Sequence, residues 1–166
     1  AILNRLKKLQ LNIDNGVVLA PDIGSAKISR SYAKMLGIGF ALIDKRRPKP
    51  NQAEVVNLVG DLDKKHVLIV DDMIDTAGTI CNAAKTAMDH GALSVKAIAT
   101  HPVLSGEAID RLVKAPIESV LVTDTIYLPE SKKFEKLEVM SVAETFGESI
   151  KRIVSGESLS SLFNNK

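Results

Sequence analysis

The run Val67-Leu68-Ile69-Val70-Asp71-Asp72 and its continuation through Thr79 constrain the fold more than any other part of the chain. Four consecutive apolar residues, three of them β-branched, are too short for a self-burying helix. They read as a strand covered on both faces. The strand delivers two adjacent carboxylates at its tip. A turn rich in Asp, Thr and Gly follows. From Gly78 to His90 the residues Ile80, Ala83, Ala84, Ala87 and Met88 then recur at helical spacing, with Gly91 as the stop. A buried strand that passes straight into a helix is half of a β-α-β unit, and it predicts a parallel sheet with helices on its faces.

The rest of the chain repeats that pattern. Residues 1–10 read as a short amphipathic helix, and Val17 to Leu19 as a buried strand feeding the loop 21–25. A helix over 26–36 closes at Gly37, and a strand over 40–43 follows. Residues 54–59 read as a strand or hairpin arm. Strands are expected over 95–99, 119–122 and 139–142, and helices over 107–113 and 143–154, the helices 26–36 and 143–154 carrying apolar faces spaced for core packing. The expected fold is α/β, a mostly parallel, doubly wound sheet in one domain over 1–166. With 166 residues, 45 % of them apolar and 25 % charged, a sizeable core is available, while two full domains would be tight.

Other classes are excluded or disfavoured. Lys plus Arg is 22 and Asp plus Glu is 20, a net charge of +2 with no basic helix, so neither nucleic acid nor an acidic membrane is an expected partner. One cysteine, Cys81, excludes a disulfide scaffold and reads as a small hydrophobe on its helix. No apolar run approaches the roughly 20 residues of a membrane helix. Residues 1–10 carry no signal-peptide core, so a cytoplasmic setting is expected. The chain also starts without Met, and a longer parent chain is expected.

Ligands of doubly wound sheets sit outside the carboxyl ends of the strands. Three polar loops fall there: 21–25, 44–50 and 71–79. In the last, the helix start offers N–H groups and a positive dipole end to a phosphate. Thr76 and Thr79 add hydroxyls, and Gly78 permits close backbone approach. Asp71 and Asp72 are acceptors suited to sugar hydroxyls or a metal ion. The plainer alternative is that Asp75 or Thr76 caps the helix. In residues 45–49, Lys45, Arg46, Arg47 and Lys49 are basic, and Pro48 and Pro50 break regular structure, which suits a lid.

The segment from Val70 to Thr79 resembles the phosphoribosyl pyrophosphate (PRPP) binding motif shared by type I phosphoribosyltransferases and ribose-phosphate pyrophosphokinases. Asp44-Lys45-Arg46-Arg47-Pro48-Lys49-Pro50-Asn51 resembles the catalytic flexible loop of the pyrophosphokinases, and Ala20-Pro21-Asp22-Ile23-Gly24-Ser25 their pyrophosphate loop. Thr100 to Gly106 and Gly156 to Phe163 are similar to the same family. The likeness spans essentially the whole chain, but only the carboxyl-terminal half of the family's length.

The resemblance implies transfer of the pyrophosphoryl group of ATP to the C1 hydroxyl of ribose 5-phosphate. It places the 5-phosphate on Thr76, Ala77, Gly78 and Thr79, with Asp75 ordering the turn. It places the ribose hydroxyls on Asp71 beside Asp72, Mg2+ on Asp22, and pyrophosphate on the N–H groups of Gly24 and Ser25. Lys45 and Arg47, in a flexible loop over 45–52, would stabilise the transition state. It further implies a homo-oligomer, a hexamer. Ser25 stands where the family usually has a second Gly; a left-handed backbone there would be strained.

Two alternatives stay open. A type I phosphoribosyltransferase needs a nucleobase hood, for which 4 Phe, 2 Tyr and no Trp offer little. A non-catalytic synthetase-like subunit sits poorly with Lys45 and Arg47. His66 and His90 read as strand-end and helix-end residues, and His101 as a non-catalytic loop residue near the ligand end of the sheet.

Overall fold

The structure, a computed structural model, describes residues 15–46 and 55–163. Seven strands form one sheet: β1 (Gly16–Ala20), β2 (Gly39–Arg46), β3 (Val55–Val59), β4 (His66–Ile74), β5 (Ser94–Pro102), β6 (Ser119–Thr123) and β7 (Leu137–Met140). Their order across the sheet is β3-β2-β1-β4-β5-β6-β7. Every neighbouring pair is parallel except β2 and β3, which run antiparallel. The helices are α1 (Ala26–Leu36), α2 (Gly78–Asp89), α3 (Ala108–Lys114), α4 (Ala143–Ser155) and the single turn α5 (Ser160–Phe163).

Strand alternation divides the core between the two faces of the sheet. Val18, Leu68, Val70, Ile98 and Leu121 point to one face, where Ala33, Ile28, Tyr32 and Leu36 of α1 cover them. Val17, Leu19, Val67, Ile69 and Ala97 point to the other, under Ile80, Ala83, Ala84 and Ala87 of α2 and Leu112 of α3. The small alanines let α2 lie close to the sheet. Leu19, Leu68 and Ile69 are fully buried, each worth about 1.5–3 kcal/mol of transfer free energy. Helices on both faces of a mostly parallel sheet are the doubly wound arrangement expected from the sequence.

The topology positions the site. From β1 the chain passes through α1 to β2 on one side. From β4 it passes through α2 to β5 on the other side. Between β1 and β4 the connections diverge and leave a crevice at the carboxyl ends of the strands, the place where such sheets bind ligands.

Several expectations are corrected. β4 does not stop at Val70; it stays paired with β5 through Ile74, so Asp71 and Asp72 belong to the strand rather than to the turn. Lys45 and Arg46 are the last residues of β2, paired with Val56 and Val55, so a loop starting at 45 begins too early. The strand or hairpin arm read over 54–59 is the antiparallel arm β3 at Val55–Val59. The strand read over 139–142 lies at Leu137–Met140. The apolar face of the helix 143–154 is not core: no residue of α4 is buried, and Phe146, Ile150, Ile153 and Val154 are exposed. The periodicity was that of an amphipathic helix, and a stripe alone does not say what it faces. On α1, Met35 also turns outward while its neighbours pack. The helix read over 1–10 and residues 47–52 of the basic loop lie outside the described residues.

Candidate functional site

The crevice between β1 and β4 holds a cavity of about 780 Å³. One wall is the loop after β1 with the start of α1. Asp22 and Ser25 close this turn on themselves. The Ser25 N–H donates to Asp22 Oδ1 at 2.9 Å, and the Ser25 hydroxyl lies 3.1 Å from both the Asp22 carbonyl oxygen and Oδ1. A Cβ at Gly24 would stand 3.3 Å from Asp22 Oδ1, so the turn leaves little room for a side chain there. Ser25 sits at φ −84°, an ordinary right-handed conformation at the start of α1. The strain considered for a Ser at this position is therefore absent. Its N–H, read as a pyrophosphate donor, is given to Asp22 in this structure.

The other wall is the end of β4 and the start of α2. Asp71 is half-buried and Asp72 exposed, and the Asp72 N–H donates to Asp71 Oδ1 at 3.0 Å. Burial, reinforced by the charges of Asp22 and Asp72, pushes the Asp71 carboxyl up to about 6. Carboxylates from β4 and from the opposite loop thus meet in one field. Beyond Ile74 the chain turns through Ala77, which adopts the left-handed conformation at φ 61°, ψ 4°. Neither Asp75 nor Thr76 caps α2; no side chain does. The Asp75 carboxylate instead accepts the Ser105 hydroxyl. A Cβ at Gly78 would meet nothing nearer than Arg111 Nη1 at 3.7 Å, so only a ligand, not the protein, would demand glycine there.

Asp22, Gly24, Ser25, Asp71, Asp72, Asp75, Thr76, Ala77, Gly78 and Thr79 therefore line a single cavity. Of the two residues read as lid cations, Lys45 is placed by its backbone near the end of β2 and Arg47 lies outside the described residues. Lys27 and Ser31 of α1 also line the cavity and were not anticipated. Their signal was faint: a Lys on an exposed helix face is ordinarily solvated. His101 is exposed, with Nδ1 2.9 Å from Thr125 Oγ1, and does not line the cavity. His66 pairs with Ser94 Oγ at 2.8 Å, and His90 ends α2. Cys81 is half-buried against the core, and burial pushes its thiol up, which makes it an inert filler.

The donor set suits a hard cation. Asp22, Asp71 and Asp72 supply oxygen only, and their mutual repulsion is what a cation would relieve. Among the described residues no group of three or more His, Cys, Asp or Glu could hold a metal ion. An ion such as Mg2+ takes one or two carboxylates and completes its shell with water and substrate phosphates.

A strand tip with paired carboxylates, next to a helix start at the switch point of a mostly parallel sheet, defines an α/β protein with the type I phosphoribosyltransferase-like fold. An adenine phosphoribosyltransferase from Thermoanaerobacter pseudethanolicus shares this fold, with a TM-score of 0.52 at 23 % identity over 72 % of this chain and 76 % of that one. Residues 45–164 match the phosphoribosyl synthetase-associated domain, and the chain belongs to that family. It is 53 % identical over 150 residues to a ribose-phosphate pyrophosphokinase of Caldanaerobacter subterraneus subsp. tengcongensis, covering 90 % of this chain and 48 % of that protein. The crystal structure of phosphoribosylpyrophosphate synthetase from Mycobacterium smegmatis aligns with a TM-score of 0.86 and 32 % identity, covering 93 % of this chain and 50 % of that one. The chain spans about half the length of the relatives it matches.

Proposed function

We propose that the chain is the carboxyl-terminal half of a ribose-phosphate pyrophosphokinase, which transfers the pyrophosphoryl group of ATP to the C1 hydroxyl of ribose 5-phosphate to give PRPP and AMP. The carrying observation is that Asp71, on the wall formed by β4, shares a field with Asp22 of the opposite wall across one cavity. It lies on β4 four residues before the loop 75–79 begins.

In this reading Thr76, Ala77, Gly78 and Thr79 take the 5-phosphate at the uncapped start of α2. Asp71, beside Asp72, accepts from the ribose hydroxyls and so orients the C1 oxygen. Asp22, Gly24 and Ser25 face the pyrophosphoryl group, and Asp22 would hold Mg2+. When bound, that ion neutralises charge on the substrate phosphates. Lys45 and Arg47 supply cations against the charge that builds on the transferred group and the departing AMP. Replacing either by Ala in an intact enzyme should lower kcat, at a cost on the order of 3–4 kcal/mol of barrier. A cytoplasmic homo-oligomer, a hexamer, without nucleic-acid or membrane partners belongs to the same proposal. Among the described residues no helix is long and apolar enough to cross a membrane.

The test is binding of ribose 5-phosphate to the chain by calorimetry. Asp71→Ala and Thr79→Ala should each weaken it. A chain that does not bind ribose 5-phosphate, or binds it unchanged in both variants, would exclude this reading.

A further inference from the structure

Three consecutive carbonyls, from the last residue of β4 into the turn after it, are held by one segment, residues 104–111. The Leu104 N–H donates to the Ile74 carbonyl oxygen at 3.0 Å, and the Ser105 N–H to that of Asp75 at 3.0 Å. The Arg111 guanidinium, reaching over from α3, donates from Nη1 to the Thr76 carbonyl oxygen at 3.1 Å. Its Nη2 donates to Glu107 Oε2 at 3.1 Å. In a planar trans peptide the C=O and N–H point in opposite directions. Fixing the carbonyls of residues 74, 75 and 76 toward this segment turns the N–H groups of Asp75, Thr76 and Ala77 away from it. The same residues line the cavity, and no residue of 104–111 does.

The backbone is held against its preference on both sides of this contact. Ala77 at φ 61° and Leu104 at φ 48° both occupy the left-handed region that favours glycine. Such conformations persist where surrounding bonds over-determine them. Of the holding bonds to these three carbonyls, only the one to Thr76 comes from a side chain. It needs a donor that reaches from another helix and still satisfies Glu107, which the guanidinium's planar fork allows and a single ammonium does less well. The Arg111–Glu107 pair is an exposed i,i+4 contact of small value by itself.

We propose that Arg111 is a positioning residue for an anionic ligand group: it holds the Thr76 carbonyl so that the loop's N–H groups converge on a sugar phosphate before that ligand arrives. The inference rests on the ribose-phosphate reading above and adds to it a residue outside the cavity lining.

Calorimetry with ribose 5-phosphate on the wild-type chain, Arg111→Met, Arg111→Lys and Glu107→Gln tests it, with circular dichroism as the check on folding. Loss of one charge-assisted bond that orders the loop should raise the Kd in Arg111→Met about tenfold. Arg111→Lys should recover part of the loss, and Glu107→Gln should stay within about twofold of wild type, since the exposed pair is not the holding bond. A folded Arg111→Met that binds as tightly as wild type overturns the proposal. If that variant does not fold, a nitrogen-15 NMR titration of the wild-type chain decides. The amide resonances of Thr76 and Ala77 should move with ribose 5-phosphate and stay in place with ribose; amides that stay in place while ligand binds elsewhere also overturn it. No binding of ribose 5-phosphate to wild type removes the functional reading and the proposal with it. Binding that survives only the loss of Arg111 removes the proposal alone.

Discussion

The Ser29 hydroxyl donates to the Val70 carbonyl oxygen at 3.1 Å, with Ser29 fully buried. Ser29 lies one turn into α1, just past the loop of Asp22 and Ser25. Val70 is the residue before Asp71. This bond therefore ties the two walls of the cavity together at their base, through the face of the sheet that α1 covers.

Removing that hydroxyl leaves a buried carbonyl short of a partner, at a net cost of about 1 kcal/mol. In a chain of this size such a loss lowers Tm by about 2–4 °C. Ser29→Ala should show that shift in a thermal melt. Ser29→Val adds a methyl to a site with no free surface and should lower Tm further. A Ser29→Ala protein that melts with the wild type would show that the bond contributes nothing.

Asp71 gives the fold a defined pH dependence. Its carboxyl is raised from 3.8 to about 6 by burial and by the charges of Asp22 and Asp72. Between about pH 4 and pH 6 the folded chain holds more protons than the unfolded one, so this group's contribution to stability falls as pH rises through that window. Below it the carboxyl is neutral in both states and the penalty is absent. Asp71→Asn removes the charge. It should melt higher than wild type near pH 7, and the gap should close toward about pH 4. A gap of the same size at both ends would trace to something other than the buried charge.

Much of this was legible in the residues, for reasons that differ by element. Val67 to Val70 could be read because a strand buried on both faces must be apolar at every position. The loop 71–79 could be read because its residue types suit a phosphate and a sugar in a short span. What escaped was set by distant partners. β4 runs on to Ile74 because β5 offers Ala99 to Pro102 as a ladder, which no local pattern announces. Ser29, Ser105 and Arg111 act through bonds to Val70, Asp75 and Thr76, 41, 30 and 35 residues away. On its own helix Arg111 looks like half of an exposed i,i+4 pair. The Ala77 conformation was missed because an alanine carries no local signal for a left-handed backbone.

The exposed stripe on α4 yields a contrast in stability. Ile150 is 59 % exposed and Ile153 65 % exposed, whereas Leu68 is 1 % exposed. Leu68→Ala should cost about 2–5 kcal/mol, from lost transfer energy and the cavity left behind. Ile150→Ser and Ile153→Ser should each stay within about 0.5 kcal/mol, because neither leaves a packed environment. Urea unfolding of the three variants measures this. An Ile150→Ser loss comparable to that of Leu68→Ala would mean that α4 is packed after all.

The final expectation separates binding from turnover. The loop proposed for the 5-phosphate is local: Thr76 to Thr79, the strand tip and the segment 104–111 bonded to it all lie within this chain. Ribose 5-phosphate recognition should therefore be retained by the 166 residues. Turnover asks for more. The relatives are about twice as long, and by resemblance the other half of that length carries the ATP contacts. Without them the groups of this chain that are proposed to face the pyrophosphoryl group would have to hold the β-phosphorus in line with the C1 hydroxyl unaided. Positioning of that kind is worth roughly 7–11 kcal/mol of barrier, so a half-built site should fall to background rather than slow modestly. A coupled assay for AMP release should read background with this chain, while calorimetry on the same sample shows ribose 5-phosphate bound. Turnover within about tenfold of a full-length relative, a difference of only about 1.4 kcal/mol, would place the ATP-handling groups within these residues.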